Sequence, residues 1–244
     1  MNISICLATY NGESYIKIQL DSIIPQIEKN DEIIVVDDCS VDNTVNIIES
    51  FNDDRIKIFK NEVNRGHVYS FNRAIELATN EIIFMSDQDD IWKNNRVNLM
   101  KSKLLTSNAL LLSSNSEFID SNGIEIDYRI DGVIEKNSNR YFRNIIDIFK
   151  GKTNYYGCAM VFRRELKRYI LPIPRYVESH DLWIAMAANL LGTNLHFEEV
   201  TLQRRIHISN ASVISRSLLP KLWSRIVFLV SVFDIFVRKS SHQK

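Results

Sequence analysis

The sequence predicts an α/β fold with a mostly parallel, doubly wound sheet flanked by helices. Apolar segments with strand spacing and helix spacing alternate between residues 2 and 86, and this alternation is typical of parallel sheets covered by helices. The segment Ile33-Ile34-Val35-Val36 is apolar throughout, as expected for a strand that is buried on both faces. Polar loops follow the predicted strands, and the fourth loop carries three carboxylates within four residues.

The individual elements follow from the spacing of apolar residues. Strands are predicted at residues 2–8, 33–36, 55–59, 81–85 and 195–200. Helices are predicted at residues 15–27, after Asp42 as a candidate N-cap, from Val68, and at residues 141–149 and 182–191. Residues 218–238 are the most apolar stretch and predict a C-terminal helical appendage. We therefore expect a main domain at residues 1–210 and a tail at residues 211–244.

Composition narrows the class of protein. The 244 residues suit one large domain with an appendage. Thirty basic and thirty acidic residues leave no net charge, which argues against a general attraction to nucleic acid. The three cysteines are widely spaced and form no CxxC pair, so we expect reduced thiols and a cytoplasmic location. The first residues show no signal-peptide pattern, which supports the same expectation.

The cluster Asp87-Gln88-Asp89-Asp90 directly follows a predicted strand. Mg²⁺ and Mn²⁺ take oxygen ligands and are commonly bound by one or two carboxylates together with substrate phosphates. The sequence lacks both glycine-rich phosphate loops, GxGxxG after the first strand and GxxxxGK[ST]. The cluster therefore predicts that a divalent metal, Mn²⁺ or Mg²⁺, neutralises the diphosphate of a nucleotide ligand.

The polar loops are expected to share one edge of the sheet, because open α/β sheets bind ligands outside the carboxyl ends of their strands. The four loops are Thr9 to Glu13, Asp37-Asp38, Asn61 to His67, and Asp87 to Asp89. Asn, Asp and Gly are also ordinary turn residues, and for a single loop that explanation is the simpler one. Four such loops together favour a binding site.

A series of motifs runs through most of the chain. In order, they are Ala8 to Gly12, Val36 to Ser40, Asn64-Arg65-Gly66, Phe71 to Ala74, Ser86 to Trp92, Gly157 to Phe162, His180 to Trp183, and Arg205 to Asn210. This series resembles the inverting family-2 glycosyltransferases with the GT-A fold, in particular bacterial rhamnosyltransferases of surface-polysaccharide synthesis. The resemblance implies a nucleotide-sugar-binding half at residues 1–92 and an acceptor-binding half at residues 93–210.

The resemblance also implies roles for residues of the first half. The implied donor-binding residues are Thr9, Asn11, Glu13, Asp38, Asn64, Gly66 and Asp87. Asp87 and Asp89 correspond to the DXD motif of the family, with Asp89 as the direct metal ligand and Asp87 as a ribose or sugar contact and further ligand. Asp90 is either a helper of this motif or the N-cap of a helix that begins at Ile91-Trp92.

In the second half, the resemblance implies that Asp181 is the catalytic base that deprotonates the acceptor hydroxyl. A carboxylate in the first turn of a helix is also a common cap, so a structural explanation stays open. His180 and Trp183 are the implied acceptor-binding residues. His207 would bind the metal or phosphate and Arg205 the phosphate, whereas the alternative is a solvated segment with surface arginines.

The function implied by the resemblance is transfer of L-rhamnose from dTDP-rhamnose to a lipid-linked or oligosaccharide acceptor of a bacterial surface glycan. The alternatives are a UDP-hexose or UDP-N-acetylhexosamine transferase, a silent nucleotide-sugar-binding scaffold, and a nucleotidyltransferase. The C-terminal segment is too short to span a bilayer, which needs about 20 apolar residues. It is either an interfacial helix on the inner face of the membrane, or a helix packed on the core or on a second subunit.

Overall fold

The computed structural model describes residues 1–128, 131–152, 155–206 and 218–242, and for residues 218–222 it describes the backbone alone. An eight-stranded sheet forms the centre of the molecule. The strands are β1 (Ile3–Thr9), β2 (Glu32–Asp37), β3 (Ile56–Lys60), β4 (Ile82–Ser86), β5 (Ile91–Trp92), β6 (Leu111–Ile119), β7 (Met160–Arg163) and β8 (Asn194–Arg205). They lie side by side in the order β3-β2-β1-β4-β7-β6-β8-β5.

The sheet is parallel on one side and mixed on the other. β1 pairs in parallel with both β2 and β4, and β2 pairs in parallel with β3. β7 runs antiparallel to β4 and to β6, whereas β6 and β8 are parallel. β5 ends the sheet antiparallel to β8. The predicted α/β fold with a mostly parallel sheet is confirmed, and a single sheet takes strands from both predicted halves.

Helices cover the sheet. They are α1 (Ile16–Ile23), α2 (Thr44–Glu49), α3 (His67–Leu77), α4 (Arg96–Leu105), α5 (Tyr141–Lys150), α6 (Lys167–Ile170), α7 (His180–Leu191) and α8 (Leu218–Ser241). α1 is shorter than predicted, because Pro25 lies in the 3-10 turn that follows it and proline lacks the N–H that a continuing α-helix donates. Asp42 lies near the start of α2, where its Oδ1 accepts from the N–H of Thr44 at 3.0 Å.

Two apolar layers lie on the two faces of the sheet. In β1, Ile5 and Leu7 face the layer that contains α1 and α4, whereas Cys6 faces the layer that contains α3 and α7. The side chains of Ile33 to Val36 in β2 alternate between the two layers in the same way, and all of them are buried. The apolar run of β2 is therefore buried on both faces, as predicted.

Two predictions near the edge of the sheet are wrong. Ile91–Trp92 is a strand, so Asp90 is not the cap of a helix at this point. The polar stretch after Val200 is not solvated, because β8 continues to Arg205 and pairs with β6 as far as Ile119. The backbone of this segment finds its hydrogen-bond partners in β6, and these bonds do not depend on the polarity of the side chains.

α8 packs one of its faces on the domain. Ile235 is buried, the ring of Phe228 lies 5.2 Å from that of Phe149, and the Tyr176 hydroxyl donates to Asp234 Oδ2 at 2.9 Å. The expectation of a helix packed on the core describes this face. The opposite face exposes large apolar side chains, namely Trp223, Ile226, Leu229, Val230, Phe233, Phe236 and Val237. Among the described residues, no helix combines the length and the apolar character that crossing a bilayer requires.

Candidate functional site

The polar loops after β1, β2 and β4 are joined at the carboxyl edge of the sheet. The Gln88 side chain bridges the first and fourth loops, because its Oε1 accepts from the Tyr10 N–H at 2.8 Å and its Nε2 donates to the Tyr10 carbonyl at 3.1 Å. The Asn11 N–H donates to Ser40 Oγ at 2.9 Å, which joins the first loop to the second. The predicted meeting of these loops at one edge is confirmed.

Gly12 allows the Gln88 side chain to come close to the first loop. A Cβ atom at residue 12 would lie 2.4 Å from Gln88 Oε1, so a larger residue would displace the amide that bridges the two loops. Gln88 was not among the predicted site residues, because metal binding pointed only to the acids on either side of it. The glycine in the first loop was the signal of a close approach.

Thr9, Asn11 and Glu13 brace the loops after β1 and β2. Thr9 Oγ1 donates to Asp37 Oδ1 at 2.9 Å. The side-chain oxygens of Asn11 and Glu13 accept from backbone N–H groups of the second loop, at 2.9 and 3.0 Å. These contacts fix the shape of the loops. The contacts of the same three residues with a base or ribose stay predictions.

Asp38 is buried and holds the third loop. Its Oδ1 accepts from the Arg65 N–H at 2.9 Å, and its Oδ2 accepts from the Gly66 N–H at 2.7 Å. Asn64 Oδ1 also accepts from the Gly66 N–H, at 3.1 Å. Gly66 has a φ of 84° directly before α3, in the region where glycine is favoured. Donor contacts of Asp38, Asn64 and Gly66 stay predictions, and any contact of Asp38 would have to share its carboxylate with this loop.

The carboxylates of Asp87 and Asp90 lie close together after β4. Asp87 is half-buried and Asp90 is 1% exposed. Burial raises the pKa of Asp87, and the carboxylates of Asp90 and Asp89 raise it further. Burial, followed by the charge of Asp89, also raises the pKa of Asp90. The charged forms of these carboxylates are therefore disfavoured, and a bound cation would reduce the repulsion between them.

The atoms that could ligate a metal come from Asp87, Asp90 and Cys158. Among the described residues, these three each offer one such atom within 4.8 Å of the others. Asp90 Oδ2 is buried and has no hydrogen-bond partner among the described residues. Burying an unpartnered oxygen destabilises the folded protein unless a ligand interacts with it. The residues thus fit a divalent cation. Asp89, the predicted direct ligand, is not in this group, and His207 lies outside the described residues.

Arg205 holds the acidic loop. Its side chain is 2% exposed, and its Nε donates to the Asp89 carbonyl at 2.8 Å. Its Nη1 donates to the carbonyls of Asp120 at 2.9 Å and Ser121 at 3.2 Å. Its backbone N–H donates to Asp90 Oδ1 at 3.0 Å. The phosphate contact of Arg205 stays a prediction, and its guanidinium is buried here and directed at loop carbonyls.

Arg204 faces the acids instead. Successive residues of a strand point to opposite sides of the sheet, so Arg204 and Arg205 have different surroundings at the end of β8. The Arg204 guanidinium lies 3.9 Å from the centre of the Tyr156 ring and interacts electrostatically with Asp90 and Asp87. Arg204 was not among the predicted site residues, because the predicted strand ended at residue 200 and so did not indicate which arginine faces the acids.

Asp181 lies in the first turn of α7, beside the acidic cluster. Its Oδ1 accepts from the Leu182 N–H at 2.8 Å and from the hydroxyl of Ser179, the residue that caps the helix. After burial and the nearer acids, the charge of Asp181 also contributes to the raised pKa of Asp87. The structural explanation as a capping carboxylate thus holds for one oxygen. The role of Asp181 as a base stays a prediction.

His180 is packed between two elements of the domain. It is 6% exposed, and its ring stacks on that of Phe71 with the centroids 4.1 Å apart. Neither ring nitrogen has a hydrogen-bond partner within the described residues. A Cβ atom at Gly157 would lie 2.6 Å from His180 Nε2. Burial lowers the pKa of His180 well below its ordinary value, so the ring is neutral. Its predicted contact with an acceptor stays a prediction.

Trp183 belongs to the core. It is 1% exposed, and its Nε1 donates to the Ile170 carbonyl at 2.9 Å. Residues three apart on a helix share a face, and His180 and Trp183 share the face of α7 that packs inward. The contact of Trp183 with an acceptor stays a prediction, and its ring and its N–H donor are both occupied inside the protein here.

Comparison with known proteins relates this geometry to a family. Residues 4–170 match the family model described as Glycosyl transferase family 2. A region of 122 residues is 35% identical to the Escherichia coli UDP-Glc:alpha-D-GlcNAc-diphosphoundecaprenol beta-1,3-glucosyltransferase WfgD, and it covers 50% of this chain and 48% of that protein. A region of 116 residues is 37% identical to the dTDP-rhamnosyl transferase RfbG of Shigella flexneri, and it covers 45% of this chain and 40% of that protein.

The chain thus spans less than half of the length of either relative. Its fold is similar to the crystal structure of S. aureus TarS residues 1–349 in complex with UDP-GlcNAc, with a TM-score of 0.74 and 22% identity over 95% of this chain and 66% of that one. This likeness confirms the predicted GT-A-type fold. Because the family model matches more than half of its residues, the chain belongs to glycosyl transferase family 2.

Proposed function

We propose that this protein is a metal-dependent inverting glycosyltransferase that acts on a bacterial surface glycan. The observation that carries the proposal is the electrostatic interaction of Asp181 with Asp87, whose carboxylate forms a candidate cation site together with Asp90 at the carboxyl edge of the sheet. A candidate base and a candidate cation site are thus side by side, as sugar transfer from a nucleoside diphosphate requires. Family membership and the names of the two relatives support the same function.

The residues of the site divide the reaction between them. Asp181 would accept the proton of the acceptor hydroxyl. The oxygen of that hydroxyl would bond to the anomeric carbon of the donor sugar, while the bond from this carbon to the diphosphate breaks on the opposite face. Arg204 would add positive charge beside the acids, and Arg205 keeps their loop in place. A divalent cation held by Asp87 and Asp90, with Asp89 in the same loop, would neutralise the leaving diphosphate.

For the donor we propose dTDP-rhamnose. The motif series and the name of the Shigella relative support this sugar, whereas the E. coli relative is named for UDP-Glc and the TarS structure contains UDP-GlcNAc. A UDP-hexose or UDP-N-acetylhexosamine is therefore the alternative. dTDP and UDP differ in a methyl group on the base and a hydroxyl on the ribose. The loops braced by Thr9, Asn11 and Glu13 would therefore determine which of the two nucleotides binds.

For the acceptor we propose a lipid-linked sugar at the inner face of the cytoplasmic membrane. The E. coli relative is named for a diphosphoundecaprenol acceptor, and the apolar outer face of α8 would suit peripheral contact with a bilayer. Phe233, 70% exposed on that face, is the residue to test. Phe233→Asp should abolish flotation with lipid vesicles, whereas the control Ser240→Asp should not. Flotation of Phe233→Asp at the level of the wild type would reject membrane contact through α8.

The function itself is tested by a transfer assay with the full chain. Candidate donors are supplied with Mg²⁺ or Mn²⁺ and a short lipid diphosphate acceptor, and the product is identified by mass spectrometry. The expected product carries one added sugar, and NMR should show an inverted anomeric configuration. Donor binding without product from any donor would instead favour the nucleotide-sugar-binding scaffold.

A further inference from the structure

The thiol of Cys158 is placed in the acidic site, although the proposed sugar transfer does not use it. Cys158 is buried in the 3-10 turn Gly157–Ala159, directly before β7. Its sulfur is one of the three potential ligand atoms that lie within 4.8 Å of one another, the others being carboxylate oxygens of Asp87 and Asp90. The turn therefore adds a sulfur atom to a site that otherwise offers oxygen.

The surrounding structure holds these atoms in position. Arg96 Nη2 donates to the Cys158 carbonyl at 2.5 Å, and Arg96 Nη1 donates to Thr201 Oγ1 at 2.8 Å. On the other side, Asp90 Oδ1 accepts from the Arg205 N–H at 3.0 Å. The second oxygen, Oδ2, is buried without a hydrogen-bond partner in the described chain, while the Cys158 thiol interacts with the same carboxyl group. The site is thus preorganised, and one of its oxygens is available for a ligand.

Charge also favours a cation at this position. The carboxylates of Asp89, Asp90 and Asp181 place negative charge near Asp87, and the charge of Asp89 also acts on Asp90. Arg204 interacts electrostatically with both Asp87 and Asp90, while the guanidinium of Arg205 is bonded to loop carbonyls. More carboxylates than guanidinium groups lie near the site, so a divalent cation would reduce the repulsion between the carboxylates.

We propose that Asp87, Asp90 and Cys158 form a divalent-cation site that prefers thiophilic ions such as Zn²⁺ and Cd²⁺ to Mg²⁺. Sulfur ligands select these softer ions, whereas Mg²⁺ prefers oxygen. On binding, the thiol loses its proton to solvent and the sulfur electron pair forms the bond to the metal. The inference rests on the proposed function in one respect only, since the same carboxylates would hold the ion used in transfer. Thiophilic ions would then compete with that ion and inhibit the enzyme.

The test is a titration of the metal-free protein with Cd²⁺, followed by the ultraviolet absorption of the cadmium–thiolate bond. The wild-type chain should show one saturable band, which Zn²⁺ removes and a large excess of Mg²⁺ does not. Cys158→Ser should remove the band. Cys39→Ser, which alters a half-buried thiol in the loop after β2, is the matched control and should keep it.

Asp90→Asn gives a second, independent measurement should Cys158→Ser fail to fold. It should weaken Cd²⁺ binding at least as much as the roughly 10- to 100-fold that loss of a supporting group costs a metal site. A band that persists in Cys158→Ser, or that disappears in Cys39→Ser instead, would overturn the inference, as would Cd²⁺ affinity that Asp90→Asn leaves unchanged. Transfer is measured on the same preparations. A Cys158 band without transfer would reject only the proposed function, and transfer without the band would reject only this inference.

Discussion

Asp90 and Arg205 are joined by a hydrogen bond of 3.0 Å from the backbone N–H of Arg205 to Oδ1 of Asp90. The bond connects the end of β8 to the loop after β4, although the two residues are far apart in the chain. The Arg205 side chain reinforces the connection through the carbonyls of Asp89 and Asp120. The position of the acidic loop therefore depends on the last residue of β8.

Arg205→Lys should destabilise the protein. Lysine lacks the planar fork that reaches several carbonyls at once, so buried acceptors of the acidic loop would lose their partners. We expect the free energy of unfolding to fall by about 2 kcal/mol, as measured by urea denaturation. Arg143→Lys in α5 is the control, because Arg143 is exposed and forms a 3.6 Å surface ion pair with Asp147. Equal losses in the two variants would contradict the role of Arg205 as a clamp.

Gly157→Ala should destabilise the protein through His180. The added methyl group would lie 2.6 Å from His180 Nε2, and overpacking of this kind costs about 1–3 kcal/mol. Because the two side chains would collide, His180→Ala should relieve the strain. The double variant Gly157→Ala/His180→Ala should therefore lose less stability than the sum of the single variants. A strictly additive result in urea denaturation would show that the contact does not limit residue 157.

The stability of the metal-free protein should fall as the pH rises. A carboxyl group whose pKa is raised by folding binds more protons in the folded state than in the unfolded state, so its ionisation opposes folding. For Asp87 and Asp90 this loss begins above the ordinary aspartate pKa of about 4 and continues up to their raised values in the folded protein.

Asp90→Asn removes this effect at residue 90 and weakens it at Asp87, because the charge of Asp90 also raises the pKa of Asp87. The amide oxygen can still accept from the Arg205 N–H, while the negative charge is removed. In the presence of EDTA, the variant should gain stability relative to the wild type between pH 5 and pH 8, by on the order of 1 kcal/mol. Urea denaturation at both pH values measures the difference. Parallel pH curves for the two proteins would show that Asp90 ionises without cost.

Asp181→Asn should nearly abolish transfer and leave donor binding intact. Asparagine keeps an oxygen that can accept from the Leu182 N–H, so α7 should start normally, but the side chain can no longer take a proton. General-base catalysis contributes about 10²- to 10⁴-fold, and kcat should fall by that factor. Donor affinity is measured by calorimetry on the same variant. Wild-type turnover by Asp181→Asn would remove this residue from the base role.

The fold was predictable because its strands and helices have a strong apolar pattern. The apolar run Ile33 to Val36 is typical of a central strand, and it lies in β2. The acids that follow β4 mark the carboxyl edge of the sheet. The meeting of the loops after β1, β2 and β4 followed from the topology of parallel sheets. These features depend on local spacing, which the sequence displays directly.

The features of the site that the sequence did not reveal concern burial and side-chain direction, which local spacing does not decide. Trp183 follows Asp181 by two residues, yet the turn of the helix places its ring in the core. Arg204 and Arg205 look alike in sequence, but the pairing of β8 with β6 sends one toward the acids and the other toward loop carbonyls. Cys158 approaches Asp87 and Asp90 only because β7 pairs with β4, a long-range contact.

Thermal stabilisation by ligands tests most directly whether the acids after β4 bind a nucleotide-sugar through a divalent cation. The melting temperature is measured with dTDP-rhamnose, UDP-glucose and UDP-GlcNAc, each with Mg²⁺, Mn²⁺ or EDTA. One donor should raise it in the presence of metal, and EDTA or Asp87→Asn should cancel the rise. Stabilisation that persists in EDTA and in Asp87→Asn, or no stabilisation by any donor with metal, would contradict metal-dependent binding at these acids.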